Sequence, residues 1–452
     1  MPTTLNPATE AHIHRYAYAS DDALDALLDR ASGAFEVHRR SAVADRASAM
    51  RRLADLLASR ADDHAALMTE EMGKPLAQAV AEAEKCAWVC RYYAEHAEAY
   101  LADESRETEA TRSFVAHEPL GPVLAIMPWN FPFWQAFRFA APTVMAGGVG
   151  ILKHAENVLG CGERMADLFR EAGFAEGVFQ HAIISHEQTA GVIADDRVRA
   201  VTLTGSEGAG RAVAAQAGEA LKPCVLELGG TDAFVVLADA DLDAAVESGV
   251  QARVQNNGQS CIAAKRFLLE APIAADFTRR FVERMEALTV GDPTTDVDLG
   301  PLARADLRET VHDQVMRAVA AGAKVQCGGA IPDGTGFYYP PTVLTNVKED
   351  SPAFSEEIFG PVASLTVVDD ADEAVRLANA TRFGLGGSVW TRDLARGERI
   401  AREIQSGAVF VNEMTKSHPN LPFGGIGASG YGRELAVQGI RAFTNAKTIW
   451  VS

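Results

Sequence analysis

From Ser20-Asp21 to about Tyr100 the chain keeps a helical period. Apolar positions such as Leu53, Leu56 and Leu57 share one stripe, and Arg and Asp occupy the opposite face. This predicts an N-terminal helical layer. Between Ser113 and Ser206 the pattern changes to short apolar runs alternating with helical stretches. VLAIMP (123–128), VGILK (149–153), FQHAII (179–184) and AVTLTGS (200–206) read as strands, and Phe133 to Met145 and Cys161 to Glu171 as helices, with a further short helix before residue 200. Strand alternating with helix predicts a parallel sheet. A second round follows: strands CVLEL (224–228) and AFVVL (233–237), a helix over 242–254, and the polar run Gln255 to Ser260 leading into Cys261. RFLLE (266–270), a helix over 274–287, and the segments AKVQC, ASLTVV, GGSVW and GAVFVN predict a second α/β unit. No repeat, low-complexity segment or long Pro/Gly linker intervenes, so two packed domains with a cleft between them are expected.

A length of 452 residues, at ~150 per domain, suggests about three units, though two large α/β domains fit as well, and 48% hydrophobic with 23% charged residues is an ordinary globular composition. The formal charge of −19 repels phosphate backbones and anionic lipid alike, so no nucleic-acid partner is expected. The N-terminus has neither the basic nor the apolar region of a signal peptide. The longest apolar runs fall far short of the ~20 residues of a spanning helix, so no membrane association is expected. Six cysteines without framework spacing point to a reducing compartment, the cytoplasm.

A cysteine nucleophile needs an exposed loop or helix start, where backbone N–H groups favour the thiolate. Cys261, after the polar turn Asn257-Gly258-Gln259-Ser260, alone meets that description. Cys86, Cys90, Cys161, Cys224 and Cys327 read as buried small apolar residues. Cys86 and Cys90 share a helix face, but no His or second cysteine pair completes a metal site, so no metal is expected. Glu227 ends an apolar strand before Gly229-Gly230, where a carboxyl of raised pKa can act as general base; a carboxylate reaching solvent or an Arg fits the same place. Asn130, within Pro128-Trp129-Asn130-Phe131-Pro132, suits either oxyanion stabilisation or an Asx turn. Thr204-Gly205-Ser206 joins a strand to a helix as phosphate-binding loops do, though Ser206 also reads as a plain helix cap. Arg211 and Ala212 stand where a P-loop needs Lys and a hydroxyl.

PWNFP at 128–132, TLTGS at 202–206, LELGG at 226–230, NNGQSC at 256–261 and EEIFGP at 356–361, in this order and spacing, resemble the aldehyde dehydrogenase superfamily. The variants LKHA, VQNNGQSCIAAKRF and PFGG…SGYGREL resemble its bacterial succinate-semialdehyde dehydrogenases. The resemblance implies a thiolate of Cys261 that attacks an aldehyde. Asn130 and the Cys261 N–H then hold the oxyanion, hydride passes to NAD(P)+, and Glu227 activates the water that hydrolyses the thioester. It implies cofactor contacts from Trp129 on the adenine side, Lys153 and Glu156 at the adenosine ribose, and Gly205 and Ser206 near the diphosphate. Leu228, Glu357 and Phe359 are implied to flank the nicotinamide and its ribose. NAD is favoured, because a carboxylate at 156 repels a 2′-phosphate.

The implied fold is a parallel-sheet cofactor-binding domain (1–105 and 122–228), an α/β catalytic domain (229–442) and an oligomerisation arm (106–121 and 443–452). Such arms make a homodimer or homotetramer. The substrate is expected to be succinate semialdehyde, its carboxylate gripped by Arg138, two helical turns beyond Asn130, with Gln255 and Ser417 adding hydrogen bonds. Another semialdehyde or an aliphatic aldehyde remains the alternative within the family. The chain also departs from the family: Ile262 and Ala263 leave no neighbouring cysteine for a redox switch, Gln255 stands where many members have Arg, and Gly427-Ala428 replace a basic segment. From outside the family, Gln255 six residues before Cys261 matches a papain-like thiol hydrolase, but that family's Cys-Gly-Ser-Cys-Trp is missing.

Overall fold

The computed structural model describes residues 1–452. The helical layer consists of Asp21–His38, Val43–Ser59, Ala61–Met72 and Leu76–Leu101. It is preceded by a small hairpin, Thr3–Leu5 with His12–Arg15, which the sequence pattern did not predict. The first sheet has five parallel strands in the spatial order Cys224–Glu227, Ala200–Thr204, Pro122–Met127, Val149–His154, Phe179–His181. Chain order reverses between Pro122–Met127 and Ala200–Thr204. In an open parallel sheet this is where a crevice opens at the carboxyl ends of the strands.

The second sheet runs Lys324–Cys327, Thr342–Thr345, Val362–Val368, Arg266–Glu270, Ala233–Val236, Gly386–Trp390, Ala408–Val411. Both of its faces are covered. Ala233 and Val235 join one apolar cluster, whereas Phe234 and Val236 join another on the opposite side. Strands buried on two faces read as continuous apolar runs, which is why AFVVL shows no alternation.

Two segments differ from the sequence reading. Residues Gly430–Tyr431, assigned to the second unit, pair antiparallel with Cys224–Glu227 as the edge of the first sheet. The following helix, Ala436–Arg441, packs on Leu76–Leu101 and Pro132–Met145. The chain crosses back here because Gly430 allows a close approach: a Cβ at that position would sit 2.0 Å from the Leu226 carbonyl oxygen. The second segment is Glu104–Ser105, placed with the first domain by the sequence reading, which pairs with Arg112–Pro119; that strand also pairs with Thr444–Val451, the two segments expected in the arm. No helix is long and apolar enough to cross a membrane.

Candidate active site

Cys261 follows the Leu242–Val254 helix and the tight turn Gln255–Gly258. Asn256 and Asn257 take left-handed backbone (φ 57° and 58°), a conformation that short amide side chains tolerate. At Gly258 (φ +72°) a Cβ would lie 2.4 Å from the Gly360 carbonyl carbon, so a side chain is excluded. Buried polar groups, not apolar packing, pin the loop. Asn257 Nδ2 donates to the carbonyls of Gly73 (2.9 Å) and Pro301 (2.8 Å), and Gln259 Oε1 accepts from the Ala303 N–H (3.0 Å). Lys265 Nζ donates to the carbonyl oxygens of Ser260 (3.0 Å) and Cys261 (2.8 Å). Each bond satisfies a group that burial would otherwise strand, although Asn256 Oδ1 and Gln259 Nε2 stay buried without a partner.

Two cavities meet at Cys261. The first, of about 420 Å³, lies in the crevice of the first sheet and is lined by Trp129, Asn130, Gly205, Ser206, Leu228, Glu357 and Phe359 among others. Ser206 caps the Glu207–Glu219 helix through the Ala209 N–H, and Gly205 places bare backbone at that helix start, where an anion is favoured. Gly229 leaves room for Glu357: a Cβ there would sit 2.2 Å from the carboxylate. A largely apolar slot with an anion site at a helix N-terminus and an acceptor carboxylate suits a nicotinamide dinucleotide. The Trp129 and Phe359 rings stand edge to face, 5.8 Å between centroids. Rings that close line the same stretch of the slot, whereas the sequence reading set Trp129 and Phe359 at opposite ends of a dinucleotide.

Lys153 and Glu156 do not line this cavity. Lys153 is the register partner of Ile126, which does, and Glu156 begins the next short helix, its Oε1 accepting from Tyr18 Oη at 2.6 Å. Both sit at the carboxyl edge of the sheet, one strand farther from Gly205.

The second cavity, of about 480 Å³, opens on the other side of Cys261 and brings together all three expected substrate residues, Arg138, Gln255 and Ser417. Arg138 is not a free fork, however. Its Nε pairs with Glu434, both side chains are almost wholly buried, and the guanidinium lies 4.3 Å from the Phe423 ring centroid. Sequence reasoning missed Glu434, Lys85, Trp134 and Lys416, of which the last three line this cavity. An interrupted apolar stripe around Lys85-Cys86-Ala87 was the only signal for Lys85.

Asn130 is buried, and its Nδ2 donates to the Gln259 carbonyl (3.0 Å) while its own carbonyl accepts from Asn256 Nδ2 (2.7 Å). The amide therefore joins the PWNFP turn to the cysteine loop and leaves one N–H for the crevice it lines. Glu227 lines neither cavity. Its carboxyl is buried behind Gly424, where a Cβ would come within 2.6 Å of Oε1, and neither oxygen has a hydrogen-bond partner. Burial pushes this carboxyl well above its ordinary range; Glu434 adds to the shift, and Arg138 and Arg433 oppose it. Burial also pushes the half-buried Cys261 thiol up to about 12, with Arg138 and Lys265 opposing and Glu357 and Glu227 reinforcing. Burial thus pushes both groups toward their neutral forms. Of the cysteines read as buried, Cys86, Cys90 and Cys161 are so; Cys224 and Cys327 are only half-buried.

Residues 2–449 match the model of the aldehyde dehydrogenase family. The chain belongs to that family, whose reaction oxidises an aldehyde with a nicotinamide dinucleotide, and the thiol-hydrolase alternative falls with this finding. It is 51% identical to the probable succinate-semialdehyde dehydrogenase [NADP(+)] of Synechocystis sp., covering 99% of both chains. It is 52% identical to succinate-semialdehyde dehydrogenase [NADP(+)] 1 of Mycobacterium tuberculosis, covering both completely. Among solved structures, succinic semialdehyde dehydrogenase from Streptococcus pyogenes in complex with NADP+ matches with TM-score 0.98 at 34% identity over all of both chains. An NAD-dependent aldehyde dehydrogenase from Sinorhizobium meliloti matches with TM-score 0.97 at 34% identity, over 100% of this chain and 91% of that one.

Proposed function

We propose that the protein oxidises succinate semialdehyde to succinate, with Cys261, Asn130 and Glu227 as its catalytic groups. One observation carries the reading: Cys261 is the shared wall of two cavities, one suited to a dinucleotide and the other lined by the cations Arg138, Lys85 and Lys416. A cationic chamber beside the nucleophile favours an aldehyde with an acid at its far end. The names of the relatives agree with this.

In this reading the Cys261 thiol loses its proton to solvent and the sulfur attacks the aldehyde carbon, so that a C–S bond forms and the carbonyl π pair moves onto oxygen. The resulting oxyanion accepts hydrogen bonds from the Asn130 amide and the Cys261 N–H. Gly205, Ser206 and Glu357 would hold the dinucleotide, which would accept the hydride that leaves the former aldehyde carbon as the oxyanion pair re-forms the carbonyl of a Cys261 thioester. Glu227 then takes a proton from the water that attacks the thioester, and the acid leaves with Cys261 restored. Glu227 must swing out from behind Gly424 to do this; the lack of any hydrogen bond to its oxygens supports that freedom.

For the cofactor we favour NAD. Tyr18 holds Glu156 as an acceptor beside Lys153, where a carboxylate repels a 2′-phosphate; the relatives named as NADP enzymes argue the other way. The first sheet would hold the dinucleotide and residues 229–429 the nucleophile. The arm, whose outer strand leaves Trp450 and Val451 half exposed, would pair with a second copy into a homodimer or homotetramer. A panel of acidic and neutral aldehydes assayed with NAD and with NADP tests the proposal. Preference for neutral aldehydes would overturn the substrate, and kcat/KM favouring NADP would overturn the role of Glu156.

A further inference from the structure

Lys85 lies on the inner face of the Leu76–Leu101 helix, in the wall of the second cavity. Its ammonium sits 4.4 Å from the Trp134 ring centroid and donates to Ser417 Oγ at 2.9 Å. No carboxylate lies within ion-pair distance of it. The other cations of this cavity differ: Arg138 pairs with Glu434, and Lys416 pairs with Glu413 at 2.7 Å and is half exposed. A half-buried ammonium held by only a hydroxyl and a ring face is under-compensated, and an anion entering the cavity would complete its coordination.

We propose that Lys85 is the principal carboxylate-binding residue of the substrate chamber, with Ser417 orienting its ammonium. This rests on the reading of the chamber as the site of an acidic aldehyde. It differs from the sequence-based expectation in moving the main grip from Arg138 to a residue on another helix. Arg138 remains near enough to weigh on Lys85: burial first, then Arg138, lower the Lys85 pKa to about 8, with Lys416 acting the same way and Cys86 and Glu82 opposing. A carboxylate placed between Lys85 and Arg138 relieves that repulsion.

The test compares succinate semialdehyde with butanal in Lys85→Met, which keeps an apolar stem over Trp134, and in Lys85→Arg. For Lys85→Met, KM for the acidic aldehyde should rise at least about 30-fold, the usual scale for removing one partner of a buried charge contact. Its kcat, and both constants for butanal, should change less than about threefold, because Lys85 touches neither Cys261 nor Asn130 in this reading. Lys85→Arg should recover part of the preference for the acid. Equal losses for both aldehydes, or no loss for either, would overturn the proposal. If Lys85→Met fails to fold, Lys85→Gln and Ser417→Ala are read by the same ratio, the latter with a smaller effect. An unmodified protein that prefers butanal overturns the substrate reading and this inference together, an outcome distinct from equal losses in the variants.

Discussion

Replacing Glu227 by Gln separates the two halves of the proposed reaction. The carboxyl is 2% exposed and fills a space bounded by Gly424, so an amide of the same shape fits without steric cost. The amide is neutral like the protonated acid and cannot carry the charge that, in the ionised form, disfavours the Cys261 thiolate, so formation of the thioester should be unharmed. Activation of water is lost, because a neutral amide cannot accept the proton; general-base catalysis contributes about 10²–10⁴-fold, and hydrolysis should slow on that scale. Rapid mixing should then show a burst of about one reduced dinucleotide per Cys261, followed by a slow steady state. The pH dependence supplies the sign. A carboxyl raised by burial is protonated at and above the pH where an ordinary glutamate has ionised, and only its ionised form is a base. In the unmodified protein hydrolysis should therefore speed up as pH rises through that raised pKa and fail as pH falls below it. Glu227→Gln should flatten this profile. Normal steady-state turnover in the variant, or an unchanged profile with no burst, would remove Glu227 from the mechanism.

Three further outcomes follow from the same geometry. Cys261→Ala should abolish aldehyde oxidation while dinucleotide affinity, measured by calorimetry, stays within a few fold; substantial remaining turnover would refute the nucleophile. Glu156→Ser should move the NADP-to-NAD ratio of kcat/KM toward NADP by about tenfold, ~1.4 kcal/mol, and an unmoved ratio would mean that Glu156 only anchors Tyr18. Glu82→Ala should destabilise the protein by about 3–5 kcal/mol, because it strands the buried Lys74 ammonium and the Phe133 and Trp134 N–H groups that Glu82 accepts; an unchanged unfolding midpoint in denaturant would refute this.

The central strands of the two main sheets were legible because each buries both faces and so leaves a short, dense apolar signature. The helix Leu242–Val254 and the strands Arg266–Glu270 and Gly386–Trp390 lie where the pattern predicts them. Thr342–Thr345 was missed because it directly follows two prolines and holds only two apolar residues between threonines, which reads as a turn. Gly430–Tyr431 was assigned to the wrong unit for a different reason. Two residues carry no pattern at all, and their pairing depends on a glycine beside a strand some two hundred positions earlier.

The site shows the same division between local and distant information. Cys261, Asn130 and the Gly205 loop announce themselves through turn chemistry in their own neighbourhoods. Arg138 was legible as a cation near the oxyanion amide, but its partner was not, since Glu434 comes from a segment that reaches the site only after the chain has built the second sheet and returned. That pairing changes what Arg138 can mean. Its charge stabilises Glu434 and lowers the pKa of both Glu227 and Cys261, so deleting it strands one buried carboxylate and shifts both reacting groups. A loss on removing Arg138 would mix substrate binding with the chemistry, and acidic and neutral aldehydes would both suffer. Lys85 carries no ion-paired acidic partner, and the cations that chiefly act on Cys261 and Glu227 are Arg138, Lys265 and Arg433. The residue that the sequence concealed among helical apolar positions is therefore the one whose removal isolates recognition of the carboxylate from everything else in the site.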